Sequence, residues 1–354
     1  MIRTLLTCLA LCAACASARA ATDHVDITWM SITNMYFDFG AQQVLADGYI
    51  TRLPEKNFTG GTSGYGKTLG PVLPDKAAVG EVLEALGGKS AVDLLITGHS
   101  HFDHAFDTGT WAKLTGARVI GAATTCLQVR AQQVPARRCT AVYGGEKFEI
   151  APGVQMYVIR WNHSGDGEKV PELHNPRELD AVPVPGASGA LRAGVTEDFP
   201  NGGGNRAYLF TVDAAAGRLS FLFQDSASAV DLREPILLGG KNYGAPLDNL
   251  AAAMRAAGVD SVDLWIGTGG VDVANLVLPV LKPRAYLPVH WDGLFGAFKA
   301  GPPAPYSDAA LEKLLADAKI QLVKPRQYMD KWRLDHAGLR ELDNAAVKHT
   351  LGFH

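Results

Sequence analysis

Four ligand-type side chains lie close together in the sequence GHSHFDHAFD. His99, His101, Asp103 and His104 form the pattern H-x-H-x-D-H. Imidazole and carboxylate groups bind zinc, and they also suit manganese and iron. On extended backbone His99 and His101 project to the same side, and Asp103 and His104 then follow in a turn. The residue types and their spacing therefore predict a metal site.

A second motif, GTSGYGKT at 61–68, matches the phosphate-binding pattern G-x-x-x-x-G-K-[ST]. A phosphate loop requires a strand before it and a helix after it, so that the helix N-terminus faces the phosphate. Pro71 and Pro74 exclude a helix that begins at Lys67. We therefore predict a flexible surface loop over 60–70, with a lid over a pocket as its functional alternative.

The metal-like motif follows directly on a predicted buried strand, AVDLLITG. Strand patterns also cover 25–30, 35–39 and 43–46, and a helix capped by Asp75 is predicted through Leu86. Later strands are KFEI, VQMYVIRW and the hairpin RAYLFTVDAAAGRLSFLFQD. Helices and strands then alternate up to a last predicted strand, IQLV. This order favours an α/β fold with two packed sheets and outer helices, an αββα four-layer sandwich.

The motif after a buried strand resembles the metallo-β-lactamase superfamily, and the resemblance covers nearly the whole chain after residue 20. It implies the metallo-β-lactamase fold and three further ligands at later strand ends. By this resemblance, the first metal binds His99, His101 and His163, the second binds Asp103, His104 and His290, and Asp225 bridges the two. Asp47 resembles the family's structural aspartate that supports the site. His174 competes with His163 by position, and we interpret it as a pocket residue.

Seven ligands for two metals leave coordination positions open, which is typical of catalytic sites. The resemblance implies a hydrolase in which a hydroxide bridging two divalent ions, with zinc preferred over manganese or iron, attacks a carbonyl or phosphoryl centre. Asp103 would orient the hydroxide and pass a proton to the leaving group. The alternative is a metal-binding or scaffold protein on the same fold.

The sequence defines the substrate class less well than it defines the metal site. The segment ITWMSITNMYFDFGAQQVLAD looks like the ascorbate-6-phosphate lactonase-like branch, with Ser31 and Ile32 where that branch usually has Gly-His. True β-lactamases usually carry Cys or Ser where Asp225 stands. Ester, lactone, amide and phosphodiester bonds therefore stay open. Trp161, Trp291 and Lys241 are candidate pocket residues, with core packing or solvent exposure as their alternatives.

Composition limits the partners of this chain. It has 354 residues, a formal net charge of −3 and no basic run, so nothing indicates nucleic acid binding and a small-molecule substrate is expected. The first 20 residues predict a secretory signal peptide cleaved after Ala20, which implies a secreted or periplasmic protein without a stable membrane anchor. A lipoprotein processed at Cys15 is the alternative. Residues 21–354 are interpreted as one domain with a short C-terminal extension.

Only Cys126 and Cys139 remain after the predicted leader. In an oxidising compartment, two cysteines thirteen residues apart favour a disulfide. Two separate buried thiols are the alternative.

Overall fold

A computed structural model describes residues 22–60, 65–164, 177–186, 189–202 and 204–353. The predicted leader, His174 and His354 lie outside the described residues. The strands are β1 Val25–Ser31, β2 Asn34–Asp38, β3 Gln43–Ala46, β4 Phe58–Gly60, β5 Lys67–Thr68, β6 Leu94–Ile96, β7 Arg118–Gly121, β8 Cys139–Ala141, β9 Lys147–Ala151, β10 Val154–Trp161, β11 Asn205–Ala214, β12 Gly217–Gln224, β13 Leu237–Leu238, β14 Lys241–Asn242, β15 Leu264–Gly267, β16 Ala285–Pro288, β17 Gln321–Leu322, β18 Asp330–Asp335 and β19 Gly338–Leu342. The helices are α1 Lys76–Ala85, α2 Phe102–Ala105, α3 Thr108–Thr115, α4 Ala123–Ala131, α5 Pro246–Ala257, α6 Gly270–Leu281, α7 Ala309–Asp317 and α8 Ala345–Thr350.

Two mixed sheets carry the fold. The first has the strand order β19-β18-β1-β2-β3-β6-β7-β8, and the second has the order β17-β16-β15-β12-β11-β10-β9. Their inner faces meet through aromatic rings, since the ring of Phe37 lies 5.6 Å from Phe210 and 5.2 Å from Phe221. Burial of such rings is a main source of core stability. The predicted packing of two sheets is confirmed.

Helices cover the outer faces of both sheets. Asp75 caps α1 by accepting hydrogen bonds from the backbone of Ala77 and Ala78, as its position before an apolar periodic run predicts. On the second sheet, α5 and α6 pack Leu250 and Val277 into an apolar cluster with Trp265 of β15. The structure is thus layered helix, sheet, sheet, helix, which confirms the αββα arrangement. Among the described residues, no helix is long and apolar enough to cross a membrane.

The chain after β17 departs from the prediction. IQLV was predicted as the last strand, but β18 and β19 follow it, and β18 pairs antiparallel with β1 from Trp29↔Asp330 to Val25↔Leu334. The inward positions of β18 include the buried Trp332 and Leu334, which alternate with partly exposed residues. That two-residue period is the normal signal of a half-buried strand. The C-terminal hairpin therefore completes the N-terminal sheet.

The phosphate-loop motif does not have the structure that phosphate binding needs. Lys67 and Thr68 form β5, which pairs antiparallel with β4, and no helix begins there. Residues 61–64 lie outside the described residues. The prediction against a phosphate loop is confirmed, although part of the predicted flexible loop is a short hairpin.

Candidate metal centre

The candidate ligands come together because of strand direction. β3 and β6 are parallel neighbours in the first sheet, so Asp47 and the H-x-H-x-D-H motif follow strand ends at one edge. In the second sheet β10, β12 and β16 share one direction, and His163, Asp225 and His290 come just after their C-terminal ends. Carboxyl ends of aligned strands are a frequent place for ligand sites. The topology thus brings both sets of residues to one edge of the sandwich.

Gly98 fixes the start of the motif. Its N–H donates to Asp47 Oδ1 at 2.9 Å, and its carbonyl accepts from the Arg206 N–H at 2.7 Å. A Cβ at position 98 would lie 2.0 Å from Asp225 Cγ. Only glycine allows this close approach, which places the backbone before His99 directly against Asp225.

Three imidazoles form the first cluster. His99 Nε2 lies 3.0 Å from His101 Nδ1 and 3.1 Å from His163 Nε2. All three side chains are buried. These are the residues predicted for the first metal, and their nitrogen atoms converge on one point.

The protonation pattern of this cluster suits a cation. His163 Nδ1 faces the Ser164 carbonyl at 2.7 Å, and since a carbonyl only accepts, this nitrogen carries the proton. His99 Nδ1 shares a hydrogen bond with Asp225 Oδ2 at 2.6 Å, and burial raises the pKa of this carboxyl well above normal. His163 Nε2 therefore points a lone pair at His99 Nε2 at 3.1 Å, and His101 Nε2 is buried without a hydrogen bond among the described residues. Converging lone pairs repel unless a proton or a metal ion lies between them, so the donor set fits a metal.

Asp103, His104 and His290 form the second cluster. Asp103 Oδ2 lies 3.0 Å from His104 Nε2 and 3.3 Å from His290 Nε2. His104 Nε2 is buried and makes no hydrogen bond despite this short distance. An orphaned buried nitrogen next to a carboxylate is what a shared cation would satisfy. His290 is about a quarter exposed, so the site reaches solvent on this side.

Asp225 lies between the two clusters. Its Oδ2 is 2.6 Å from His99 Nδ1 and 3.5 Å from His104 Nδ1, and its Oδ1 accepts from Asn205 Nδ2 at 3.2 Å. Asp225 therefore contacts one histidine of each cluster, His99 and His104. It contacts Nδ1 of both rings, whereas the Nε2 atoms face the clusters. In this arrangement the carboxylate orients both rings, as carboxylates behind metal-binding histidines do. Its role as a bridging ligand stays a prediction.

Asp47 and Thr33 hold His104 from behind. Asp47 Oδ2 is 2.9 Å from His104 Nδ1, and Thr33 Oγ1 donates to the same carboxylate oxygen at 2.6 Å. With Nδ1 fixed in this way, the ring presents Nε2 to Asp103. The structure thus gives Asp47 the supporting contacts that the resemblance implied, whereas Thr33 was missed because an isolated threonine carries no sequence signal.

A strained loop positions His290. The His290 N–H donates to the Ile32 carbonyl at 2.9 Å, and the Ile32 N–H lies 3.1 Å from both carboxylate oxygens of Asp292. Ile32 has a φ of 45°, which is unfavourable for a β-branched residue. Tyr328 Oη also donates to Asp292 Oδ2 at 2.6 Å. Asp292, two residues after His290 in the sequence HWD, was missed, and that spacing is the only signal that pointed to it.

The pKa values follow from burial and neighbouring charge. Burial lowers the pKa of His99 and His101 well below normal, and it lowers the pKa of His163 to about 4, so these rings are neutral ligands at pH 7. Burial opposes the charge of His104, but Asp103 and Asp47 outweigh it and raise its pKa well above normal. Burial also opposes ionisation of Asp103, but His104 lowers that pKa well below normal. A metal would therefore have to displace a proton from His104.

Other predicted residues lie elsewhere. Trp161 is buried in the apolar cluster beneath α5 and α6, and Trp291 stacks on Trp29 at 5.3 Å. Lys241 is exposed in β14. Core packing is thus correct for Trp161, and the lysine is a surface residue. His174 lies outside the described residues.

Comparisons with known proteins concern the fold. No protein-family model matches the sequence, and no curated protein matches it either. A novel metallo hydrolase from the hyperthermophilic archaeon Ignicoccus hospitalis superposes with a TM-score of 0.50 at 13% identity, over 88% of this chain and 99% of that one. A possible metal-dependent hydrolase from Veillonella parvula gives 0.47 at 13% identity, over 88% and 99% of the two chains.

A metallo-beta-lactamase fold protein from Bacillus subtilis is also similar, with a TM-score of 0.46 at 10% identity over 88% of this chain and 100% of that one. At such identities the likeness concerns the fold alone. The two mixed sheets with flanking helices form the predicted αββα sandwich.

Proposed function

We propose that this protein is a metal-dependent hydrolase with a centre for two divalent ions, zinc being the expected metal. The observation that carries the proposal is the convergence of His99, His101 and His163, beside the second cluster formed by Asp103, His104 and His290. Both clusters are made of side chains that lie at the ends of aligned strands and are oriented by further buried groups.

The spacing of the first cluster agrees with a divalent ion bound by three nitrogens. Zinc–nitrogen bonds of about 2.0–2.1 Å at tetrahedral angles would place neighbouring nitrogens about 3.3–3.4 Å apart. The observed separations from His99 Nε2 are 3.0 and 3.1 Å. Three protein ligands leave a fourth tetrahedral position, which distinguishes a catalytic site from a closed structural one.

Two bound cations would lower the pKa of water and polarise the scissile carbonyl or phosphoryl group. The chain's own residues orient this chemistry. Asp103 is the candidate catalytic residue, because its carboxylate is held in the centre by His104 and His290 and is ionised at neutral pH. It can hold a proton and deliver it to the leaving group. Asp225 orients the His99 ring through its Nδ1 atom.

The substrate that we propose is a small molecule with an ester, lactone, amide or phosphodiester bond. The lactone is the first to test, because the opening segment resembles the ascorbate-6-phosphate lactonase-like branch. Ser31 and Ile32 depart from that branch, and the Ile32 carbonyl accepts a hydrogen bond from the His290 N–H.

We also propose that the protein is exported to the periplasm or beyond. A disulfide joins Cys126 and Cys139 with a Cα–Cα distance of 5.5 Å, which supports an oxidising compartment. The predicted disulfide is therefore present, whereas the leader lies outside the described residues. Cell fractionation with N-terminal sequencing tests the proposal. A cytoplasmic protein that keeps residues 1–20 would contradict it.

The activity test uses the zinc-loaded protein after removal of 1–20, with lactones, phosphodiesters, thioesters and β-lactams as substrates. His104→Ala removes a ligand of the second cluster, and His336→Ala, at an exposed turn of the β18–β19 hairpin, is the matched control. We expect turnover of one substrate class that is lost in His104→Ala and kept in His336→Ala. Equal turnover in both variants would contradict the assigned centre.

A further inference from the structure

A cavity of about 250 Å³ lies away from the metal centre, at the edge of β10. β9 pairs with β10 only as far as Tyr157↔Lys147. Beyond that point the 143–146 loop covers the strand, with Gly145 N–H donating to the Val158 carbonyl at 2.8 Å. Helix α5 and Tyr243 close the other side. The cavity is thus built from fixed backbone on three sides.

Arg160 lines this cavity and has an unusual environment. Arg160 is 2% exposed, and among the described residues none of its three guanidinium nitrogens has a hydrogen-bond partner. Burying a charge costs free energy unless the charge is paired, and a guanidinium carries five donors that are normally satisfied. The described residues place no carboxylate within ion-pair distance of Arg160. Within the described part of the chain, Arg160 therefore has no direct ion-pair partner for its buried charge.

Neighbouring charges do not supply what is missing. Arg206 pairs with Arg160 across β10 and β11, and it donates to the Val142 carbonyl through Nε at 3.0 Å. Glu146 is close, but its two oxygens accept the N–H groups of Tyr143 and Gly144 at 2.7 and 2.8 Å. Burial, followed by the charge of Arg206, lowers the pKa of Arg160 to about 9. Glu178 and Glu146 act on Arg160 only through longer-range attraction, so its guanidinium stays charged at neutral pH without a direct partner among the described residues.

The walls determine what kind of anion fits. The Arg160 guanidinium lies 4.5 Å from the ring centre of Tyr243, and Lys241 Nζ lies 4.6 Å from the same ring. Tyr157, Ala252 and Ala253 add apolar surface. A Cβ at Gly144 would lie 2.7 Å from Arg160 Cβ, so glycine lets the covering loop approach the arginine closely. An anionic head group on an apolar or aromatic body matches these surroundings.

We propose that the Arg160 cavity is a second ligand site, which binds a small organic oxyanion, a carboxylate or a phosphate, through the Arg160 guanidinium and packs its apolar body against Tyr243 and α5. A planar guanidinium recognises both head groups with paired hydrogen bonds. The site is independent of the proposed hydrolysis, because none of its residues belongs to the metal centre.

The test is calorimetric titration of the intact protein with benzoate, phenyl phosphate and benzyl alcohol. Arg160→Met keeps the length of the side chain and removes the charge. Arg218→Gln, a surface arginine paired with Asp213, is the matched control. His101→Ala separates anions that bind at the metals from anions that bind here.

We expect benzoate, phenyl phosphate or both to bind the wild type. The anion that binds more tightly identifies the preferred head group as a carboxylate or a phosphate. The affinity of Arg160→Met for this anion should be lower than that of the wild type by about tenfold or more, since hydrogen bonds to charged groups have that magnitude. The wild type should bind the uncharged benzyl alcohol more weakly than the anion by a similar factor. Anion binding should persist in Arg218→Gln and His101→Ala. The proposal would be overturned if neither anion bound the wild type, or if Arg160→Met bound the anion as tightly as the wild type. It would also be overturned if anion binding were lost only in His101→Ala.

A second readout distinguishes ligand binding from a structural role. Without ligand, Arg160→Met should melt at the same temperature as the wild type or higher, because replacing an unpaired buried charge by an apolar group relieves desolvation. A lower melting temperature together with unchanged anion binding would assign Arg160 to structure alone.

Discussion

The buried carboxylate of Asp292 should control how the second metal is bound, although it is not a predicted ligand. Its oxygens accept from the Ile32 N–H and from Tyr328 Oη, and Arg52 Nη1 lies 3.7 Å away without any hydrogen bond of its own. The Ile32 carbonyl in turn accepts the His290 N–H. Asp292→Ala therefore removes the anchor of the loop that holds His290.

The expected magnitude follows from the groups left behind. A buried donor without an acceptor costs roughly 1–3 kcal/mol, and Asp292→Ala leaves two such donors. Breaking a buried ion pair costs about 3–5 kcal/mol. Since Arg52 also donates to the Gly296 and Phe295 carbonyls, we expect a loss near the lower end, about 3–4 kcal/mol in the free energy of unfolding. Loss of such a supporting contact typically weakens metal binding by about 10–100-fold.

Urea denaturation and equilibrium dialysis with zinc measure these two effects. Asp26→Ala is the matched control, because Asp26 is also buried and ion-paired, with Arg333 at 2.6 Å, but lies near the opposite end of β1. We expect both variants to lose stability and only Asp292→Ala to lose affinity for one of two metals. Wild-type affinity for both metals in Asp292→Ala would refute the reasoning. An equal loss of zinc affinity in Asp292→Ala and Asp26→Ala would refute it as well.

Three further predictions concern other buried groups. Burial raises the pKa of Asp107 from 3.8 to about 6, so its protonated form contributes stability that is fully present only well below pH 3.8 and is lost as the pH rises through 6. This contribution changes by about 2 kcal/mol between pH 4 and pH 7. Asp107→Asn should remove that difference in urea titrations at the two pH values, and identical profiles would contradict it. Replacing both Cys126 and Cys139 by Ser opens a loop of 13 residues and should cost about 3 kcal/mol of unfolding free energy, whereas an unchanged urea midpoint would show that the disulfide does not form. Gly98→Ala forces Asp225 away and should lower the unfolding free energy by about 1–3 kcal/mol or more, with loss of bound metal; a stable variant with full metal content would be inconsistent with the packing.

The sequence predicts which side chains come together, because its signals are local or directional. H-x-H-x-D-H is a contiguous pattern, and His163, Asp225 and His290 each follow a strand that alternation or apolar runs identify. Aligned strand ends then bring these residues together, as the structure shows. The contact geometry of Asp225 was not predictable, because the side chain's approach to His99 depends on the backbone at Gly98.

The supporting groups are largely absent from a sequence-based account. Thr33, Asp292 and Tyr328 contact the site through pairings that span tens or hundreds of residues, and no local periodicity encodes such contacts. The β18–β19 hairpin was missed although the alternation of β18 is visible, with charged residues on the face opposite Trp332 and Leu334. Arg160 offered a usable signal, since it shares the strand phase of the buried Met156 and Val158.

Metal content is the most direct test of the central claim. The purified protein should be loaded with zinc, dialysed against chelator-treated buffer and measured by plasma mass spectrometry. The account predicts close to two zinc equivalents per chain, because His99, His101 and His163 form one site and Asp103, His104 and His290 form the other. Fewer than about 0.2 equivalents in correctly folded protein would contradict both the centre and the hydrolysis proposed for it.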